Sequence, residues 1–237
     1  MNITDLDWHL YEQRDHLAER LASDVAERLQ NAIESRGGAT LAVSGGSTPA
    51  LFFEQLSYAA IDWQKITVTL VDERFVPESH ERSNAKLVKE KLLKNAAAEV
   101  RFVPLYHDTA RVEEAAARSS GEVGKFDWPL DVVVLGMGLD GHTASFFPDA
   151  TTLEMLLDPS TSERVLPVQA QSAGEPRLTL SLPAIVSASF LALHIEGENK
   201  RDVLEETLGE LGPEFSRTPT RRVLDAATTT PHIYWAP

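Results

Sequence analysis

The chain has 237 residues, 43% hydrophobic and 24% charged, the makeup of an ordinary globular protein long enough to bury a core unaided. It has no cysteine, which excludes disulfides, thiolate catalysis and cysteine-ligated metal, and which fits a reducing, cytoplasmic setting. A net charge of -14 argues against nucleic acid or anionic lipid as a bulk partner. The opening dozen residues carry Asp5, Asp7 and Glu12 with no basic region or apolar run, so no signal peptide is expected. No stretch of 18 apolar residues occurs, so no membrane span is expected.

Taken in order, the first element is a helix, with Leu17, Leu21, Val25 and Leu29 at spacing four and a stop at Gly37-Gly38. A short apolar strand at 40–43 leads through a glycine turn to a helix at 51–56. A β-branched strand at 66–71, a polar loop and a helix at 83–93 follow. A strand near 100–105 and a helix around 112–119 repeat the alternation, and the most apolar strand runs over 131–135. Further strands are expected at 165–168, 178–182, 190–195 and 232–235, with helices at 199–211 and 220–226. Uninterrupted runs such as Val132-Val133-Val134-Leu135 predict burial on both faces. The pattern predicts one α/β domain over 1–237, a doubly wound, mostly parallel, Rossmann-like sheet flanked by helices.

The unusual residues fall directly after these strands. Val43 is followed by Ser44-Gly45-Gly46-Ser47-Thr48-Pro49, Val71 by Asp72-Glu73-Arg74, and Leu135 by Gly136-Met137-Gly138-Leu139-Asp140-Gly141-His142-Thr143. Ile195 runs into Glu196-Gly197-Glu198-Asn199-Lys200. In an open parallel sheet these carboxyl ends share one crevice. The first loop suits either an anion held on free N–H groups or a plain strand-to-helix turn capped by Ser47 or Thr48. The second reads as a solvated charge cluster or as part of a site. The third formally matches a dinucleotide fingerprint, but Pro148 cuts short the helix that motif opens, and the motif lies past mid-chain. What it displays instead is His142 two residues from Asp140: a general base with an orienting carboxylate, or a structural histidine.

Together Ser44-Gly-Gly-Ser-Thr-Pro, Asp72-Glu-Arg-Phe-Val-Pro, Gly136-Met-Gly-Leu-Asp-Gly-His-Thr-Ala-Ser and Gly197-Glu-Asn-Lys resemble the 6-phosphogluconolactonases, which share their fold with the glucosamine-6-phosphate deaminases. The resemblance runs in order from about Leu41 to Lys200. It implies hydrolysis of 6-phospho-D-glucono-1,5-lactone in the oxidative pentose phosphate route, by a cytoplasmic monomer or homodimer with no cofactor and no metal. It makes His142 the base, Asp140 its acidic companion, and Asp72 and Arg74 pocket groups. It gives the phosphate to Ser44, Gly45, Gly46, Ser47, Thr48 and Lys200. Arg177 joins them if its strand runs antiparallel or the preceding loop folds back. The deaminases carry an acidic residue five positions after the motif histidine; here Phe147 stands there, which favours the lactonase. Two other readings are a phosphosugar-binding regulator, which would not need the Asp140–His142 pair, and a serine esterase using Ser44 or Ser47.

Overall fold

The computed structural model describes residues 6–209 and 218–237. Helix α1 (Arg14–Arg36) forms because its apolar side chains recur one turn apart: Leu17, Leu21, Val25, Leu29 and Ile33 are all buried. Each such side chain contributes ~1.5–3 kcal/mol by leaving water. The helix ends at Gly37, whose φ of 84° and N–H bond to the Ile33 carbonyl close the last turn.

Strands β1 (Asp7–Leu10), β2 (Ala39–Val43), β3 (Ile66–Leu70), β5 (Arg101–Val103), β6 (Val132–Leu135), β9 (Phe190–Glu196) and β10 (His232–Ala236) form a seven-stranded sheet in the order β1-β10-β9-β6-β2-β3-β5. Every pairing in it is parallel. Strands β2 and β6 are buried throughout, as their unbroken apolar runs require. Flanking the sheet are α2 (Ala50–Leu56), α3 (Asn84–Lys91), α4 (Val112–Val123), α7 (Glu198–Leu208) and α8 (Pro219–Ala226). The chain leaves β2 toward β3 on one side and returns to β6 on the other, so the crevice belongs at the carboxyl ends of β2 and β6.

Several expectations are corrected. The segments at 165–168 and 178–182 do not extend the parallel sheet. Strands β7 (Val165–Val168) and β8 (Arg177–Leu180) pair antiparallel with each other, and β8 pairs with β4 (Asp72–Arg74), making a separate three-stranded sheet. β8 stops at Leu180 because Ser181 and Pro183 begin helix α6 (Leu182–Val186). The N-cap of α2 is Pro49, not Ser47 or Thr48. The last residues of the helix expected at 199–211 lie outside the described residues. Two strands, β1 and β4, and the short helices α5 (Leu153–Leu156) and α6 were not foreseen. No described helix is long and apolar enough to cross a membrane.

Candidate active site

The four loops meet in one cleft of about 190 Å3. Ten of the eleven expected site residues line it: Ser44 to Thr48, Asp72, Arg74, His142, Arg177 and Lys200. Asp140 alone does not; it stands behind His142.

The histidine loop is held from several sides. The Gly138 N–H bonds the His142 carbonyl at 2.9 Å, and the Gly141 N–H bonds the Gly138 carbonyl at 3.0 Å. From helix α8, the Thr220 hydroxyl donates to the Gly141 carbonyl at 2.8 Å. Asp140 Oδ1 then lies 2.5 Å from His142 Nδ1 and accepts the His142 main-chain N–H at 3.2 Å. This contact sets the proton on Nδ1 and leaves Nε2 with a lone pair. Partial burial acts to raise the Asp140 pKa, but the hydrogen bond from His142 and its charge together outweigh it, so the carboxyl titrates below its ordinary value. The Phe147 ring packs on the imidazole with centroids 4.5 Å apart.

Gly138 has a steric reason. A Cβ there would lie 2.3 Å from His142 Cε1 and Nδ1 and 2.6 Å from Asp140 Oδ1. Gly138→Ala is therefore expected to displace the imidazole and lower kcat about 100-fold, since a 1 Å misplacement costs on that order. Steady-state kinetics beside a melting curve checks this: the fold should hold while turnover falls.

On β4 the side chains alternate, which separates three charged neighbours into two jobs. Asp72 and Arg74 face the cleft. Glu73 is fully buried the other way, where it accepts the Asn84, Ala85 and Arg74 N–H groups at 2.7–2.8 Å and the Ser83 hydroxyl at 3.1 Å. Burial raises its pKa, with these donors opposing. Glu73 is thus the anion at the start of α3. Asp72 accepts the Ser145 hydroxyl at 2.6 Å, and its carbonyl accepts Asn84 Nδ2 at 2.8 Å. Gly45 must lack a side chain because a Cβ would stand 1.9 Å from Asn84 Oδ1.

Arg177 reaches the cleft because β8 runs antiparallel to β4, which pairs it with Arg74. It is 5% exposed, donates to the Ala173 carbonyl at 2.8 Å, and lies over the Phe147 ring. Burial lowers its pKa, and the Asp72 charge works the other way. Lys200, in the first turn of α7, places Nζ 3.2 Å from Thr48 Oγ1. Burial also lowers its pKa, opposed by Glu196. The net -14 of the chain thus coexists with three cations, Arg74, Arg177 and Lys200, lining one cleft.

Two lining residues with polar side chains, Asn84 and His194, were missed in the sequence. Asn84 opens α3 and lay inside the helix expected at 83–93, with nothing in the sequence to mark it as a site residue. His194 lies within the apolar run of β9, is 2% exposed, and contacts Glu196 Oε1 through Nε2 at 3.2 Å. Burial depresses its pKa, with Glu196 opposing. Its one outward signal was a histidine inside an otherwise apolar strand. Ser44 Oγ, Asn84 Oδ1, Arg74 Nε and Arg177 Nε are buried polar atoms with no hydrogen-bond partner among the described residues. A cleft lined by unmatched donors and acceptors suits a polyhydroxylated anion. Ser44 Oγ has no histidine on it, so nothing activates it as a nucleophile.

Residues 12–235 match the family described as glucosamine-6-phosphate isomerases/6-phosphogluconolactonase. A 6-phosphogluconolactonase of Mesorhizobium japonicum is 55% identical over 237 residues, covering 100% of this chain and 98% of its own. One from Rhizobium meliloti is 53% identical over 229 residues, covering 97% and 98%. A crystal structure of a 6-phosphogluconolactonase from Shewanella baltica superposes with a TM-score of 0.93 at 36% identity, covering 100% of both chains.

Proposed function

The chain belongs to the glucosamine-6-phosphate isomerase/6-phosphogluconolactonase family, and from that premise we propose that it hydrolyses 6-phospho-D-glucono-1,5-lactone to 6-phospho-D-gluconate in the oxidative pentose phosphate pathway. The observation that carries the reading is His142 paired with Asp140 at 2.5 Å on a cleft that also holds Arg74, Arg177 and Lys200. A phosphorylated sugar does not cross membranes unaided, so the reaction belongs in the cytoplasm. The acting species is a monomer or homodimer that needs no nucleic acid.

His142 Nε2 takes a proton from water as the water oxygen bonds to C1 of the lactone. The C1 carbonyl becomes an oxyanion, for which the Arg74 guanidinium and main-chain N–H groups of the glycine loops are the donors. As the carbonyl re-forms, the bond from C1 to the ring oxygen breaks and the imidazolium returns its proton to that oxygen. The acid formed then ionises. Asp140 holds the imidazole and offsets its transient charge. A positioned base supplies ~10²–10⁴-fold, and a donor aimed at the oxyanion ~10²–10³-fold. The turn at 44–48 and Lys200 take the phosphate, with Arg177 beside them; Asp72, steadied by Ser145, faces the sugar hydroxyls.

The other activity in the family's description acts on an amino sugar phosphate. Phe147, where the deaminases place an acid, is buried against His142 and can move no proton. Incubation with glucosamine-6-phosphate should release no ammonia above background, whereas freshly made lactone should yield 6-phosphogluconate. Ammonia release as the faster reaction would overturn the assignment.

A further inference from the structure

At the opposite end of the sheet from the cleft, the amino ends of β1 and β10 bring together residues from the two ends of the chain. Parallel pairing sets Asp7 beside His232 and His9 beside Tyr234. Asp7 and His9, two apart on one strand, share a face. Asp7 Oδ2 lies 3.0 Å from His232 Nδ1 and 3.3 Å from His9 Nε2, and the two nitrogens are 3.1 Å apart.

Protons alone do not satisfy this triangle. Each neutral imidazole has one N–H and one lone pair to direct. If both N–H groups point at the carboxylate, they face each other. If only one does, a lone pair of the other ring faces the carboxylate lone pairs. In every arrangement one of the three contacts is left mismatched. A dication satisfies all three, and the spacing fits one: a triangle with these sides has a circumradius of about 1.8 Å, so a point 2.0–2.1 Å from each atom exists just off its plane. Ligand edges near 3.3 Å are those of a tetrahedron at such bond lengths.

The rings are also held in place beforehand. His9 stacks on Tyr234 at 4.4 Å and 8°, and the Tyr234 hydroxyl is anchored on Asp24 at 2.7 Å. His232 packs on Phe190 with ring centroids 4.5 Å apart, and the Arg28 guanidinium lies over that same Phe190 ring, 5.1 Å from its centroid. The Asp7 side chain is 51% exposed, which leaves an entry path. Among the described residues this is the one group of three or more His and acidic side chains close enough to share an ion.

We propose that Asp7 Oδ2, His9 Nε2 and His232 Nδ1 form a zinc site, with the fourth tetrahedral position open to water. Two imidazoles and a carboxylate suit zinc by ligand type and geometry. The ion would pin the edge strand β1 to β10 and would take no part in hydrolysis.

The test is zinc titration of protein freed of metal with EDTA and then of EDTA, read by calorimetry and by competition with a chromophoric chelator. One equivalent of Zn2+ should bind per chain and raise Tm by several degrees at ~100-fold excess over Kd. His9→Gln and His232→Gln should each weaken binding more than ~10-fold and leave lactone hydrolysis unchanged. His142→Gln should keep the full equivalent. Should His232→Gln fail to fold, His9→Gln, on the edge strand, decides the matter. No binding by the wild type at about 100 μM Zn2+, or binding lost with His142→Gln and kept by His9→Gln, would overturn the site.

Discussion

His142→Gln is expected to lower the catalysed rate by ~10²–10⁴-fold, the usual contribution of a positioned base, while binding and folding stay largely intact. Glutamine keeps a side chain in the glycine turn and can still donate to Asp140, but it offers no basic nitrogen to water. Asp140→Asn should lose less, because it removes orientation and charge rather than the base. Asp140 titrates below its ordinary value, so its carboxylate keeps its hold on the imidazole as the pH is lowered. Spontaneous hydrolysis of the lactone sets a floor that has to be subtracted. A histidine with a purely structural part would give the reverse pattern, a lower Tm with kcat per folded molecule little changed.

Lys200→Ala is expected to raise KM for the phosphorylated lactone about 10- to 150-fold, the equivalent of losing a charge-assisted contact of ~1.5–3 kcal/mol. Its ammonium is largely withdrawn from solvent and already touches Thr48 in the glycine turn, so removal leaves that turn facing the phosphate without its cation. Unphosphorylated gluconolactone, if turned over, should show almost no change, and this comparison separates phosphate recognition from support of the fold. Because burial lowers the Lys200 pKa, the cation is lost at a lower pH than a free lysine would lose it. KM should therefore climb on the alkaline side in the wild type and stay flat in the variant.

How much of this could be read from the residues depends on whether the cause was local. Helix α1 and strands β2, β3 and β6 were legible because spacing four and unbroken β-branched runs are direct consequences of burying one stripe or two faces. The cleft followed from them, since the odd residues all came after strands and carboxyl ends converge. What escaped depends on partners far along the chain. Strand β4 is three charged residues, and only β8, more than 100 positions on, makes it a strand. That same pairing carries Arg177 into the cleft, by the antiparallel route on which its reach depended. Asn84 and Ser145 matter because of what they touch at Asp72, which no local pattern encodes. β1 alternates polar and apolar residues over only four positions, Asp7 to Leu10, too short a run to stand out, and its histidine meets a partner 223 positions away.

The central claim, enzymatic hydrolysis of a phosphorylated sugar lactone, is tested most directly by proton release at constant pH from freshly generated 6-phosphogluconolactone, with and without the protein. Base uptake should rise in proportion to wild-type enzyme, stop at one proton per lactone, and drop nearly to the spontaneous rate when His142→Gln replaces it. A rate equal to the spontaneous one at every wild-type concentration would contradict the account.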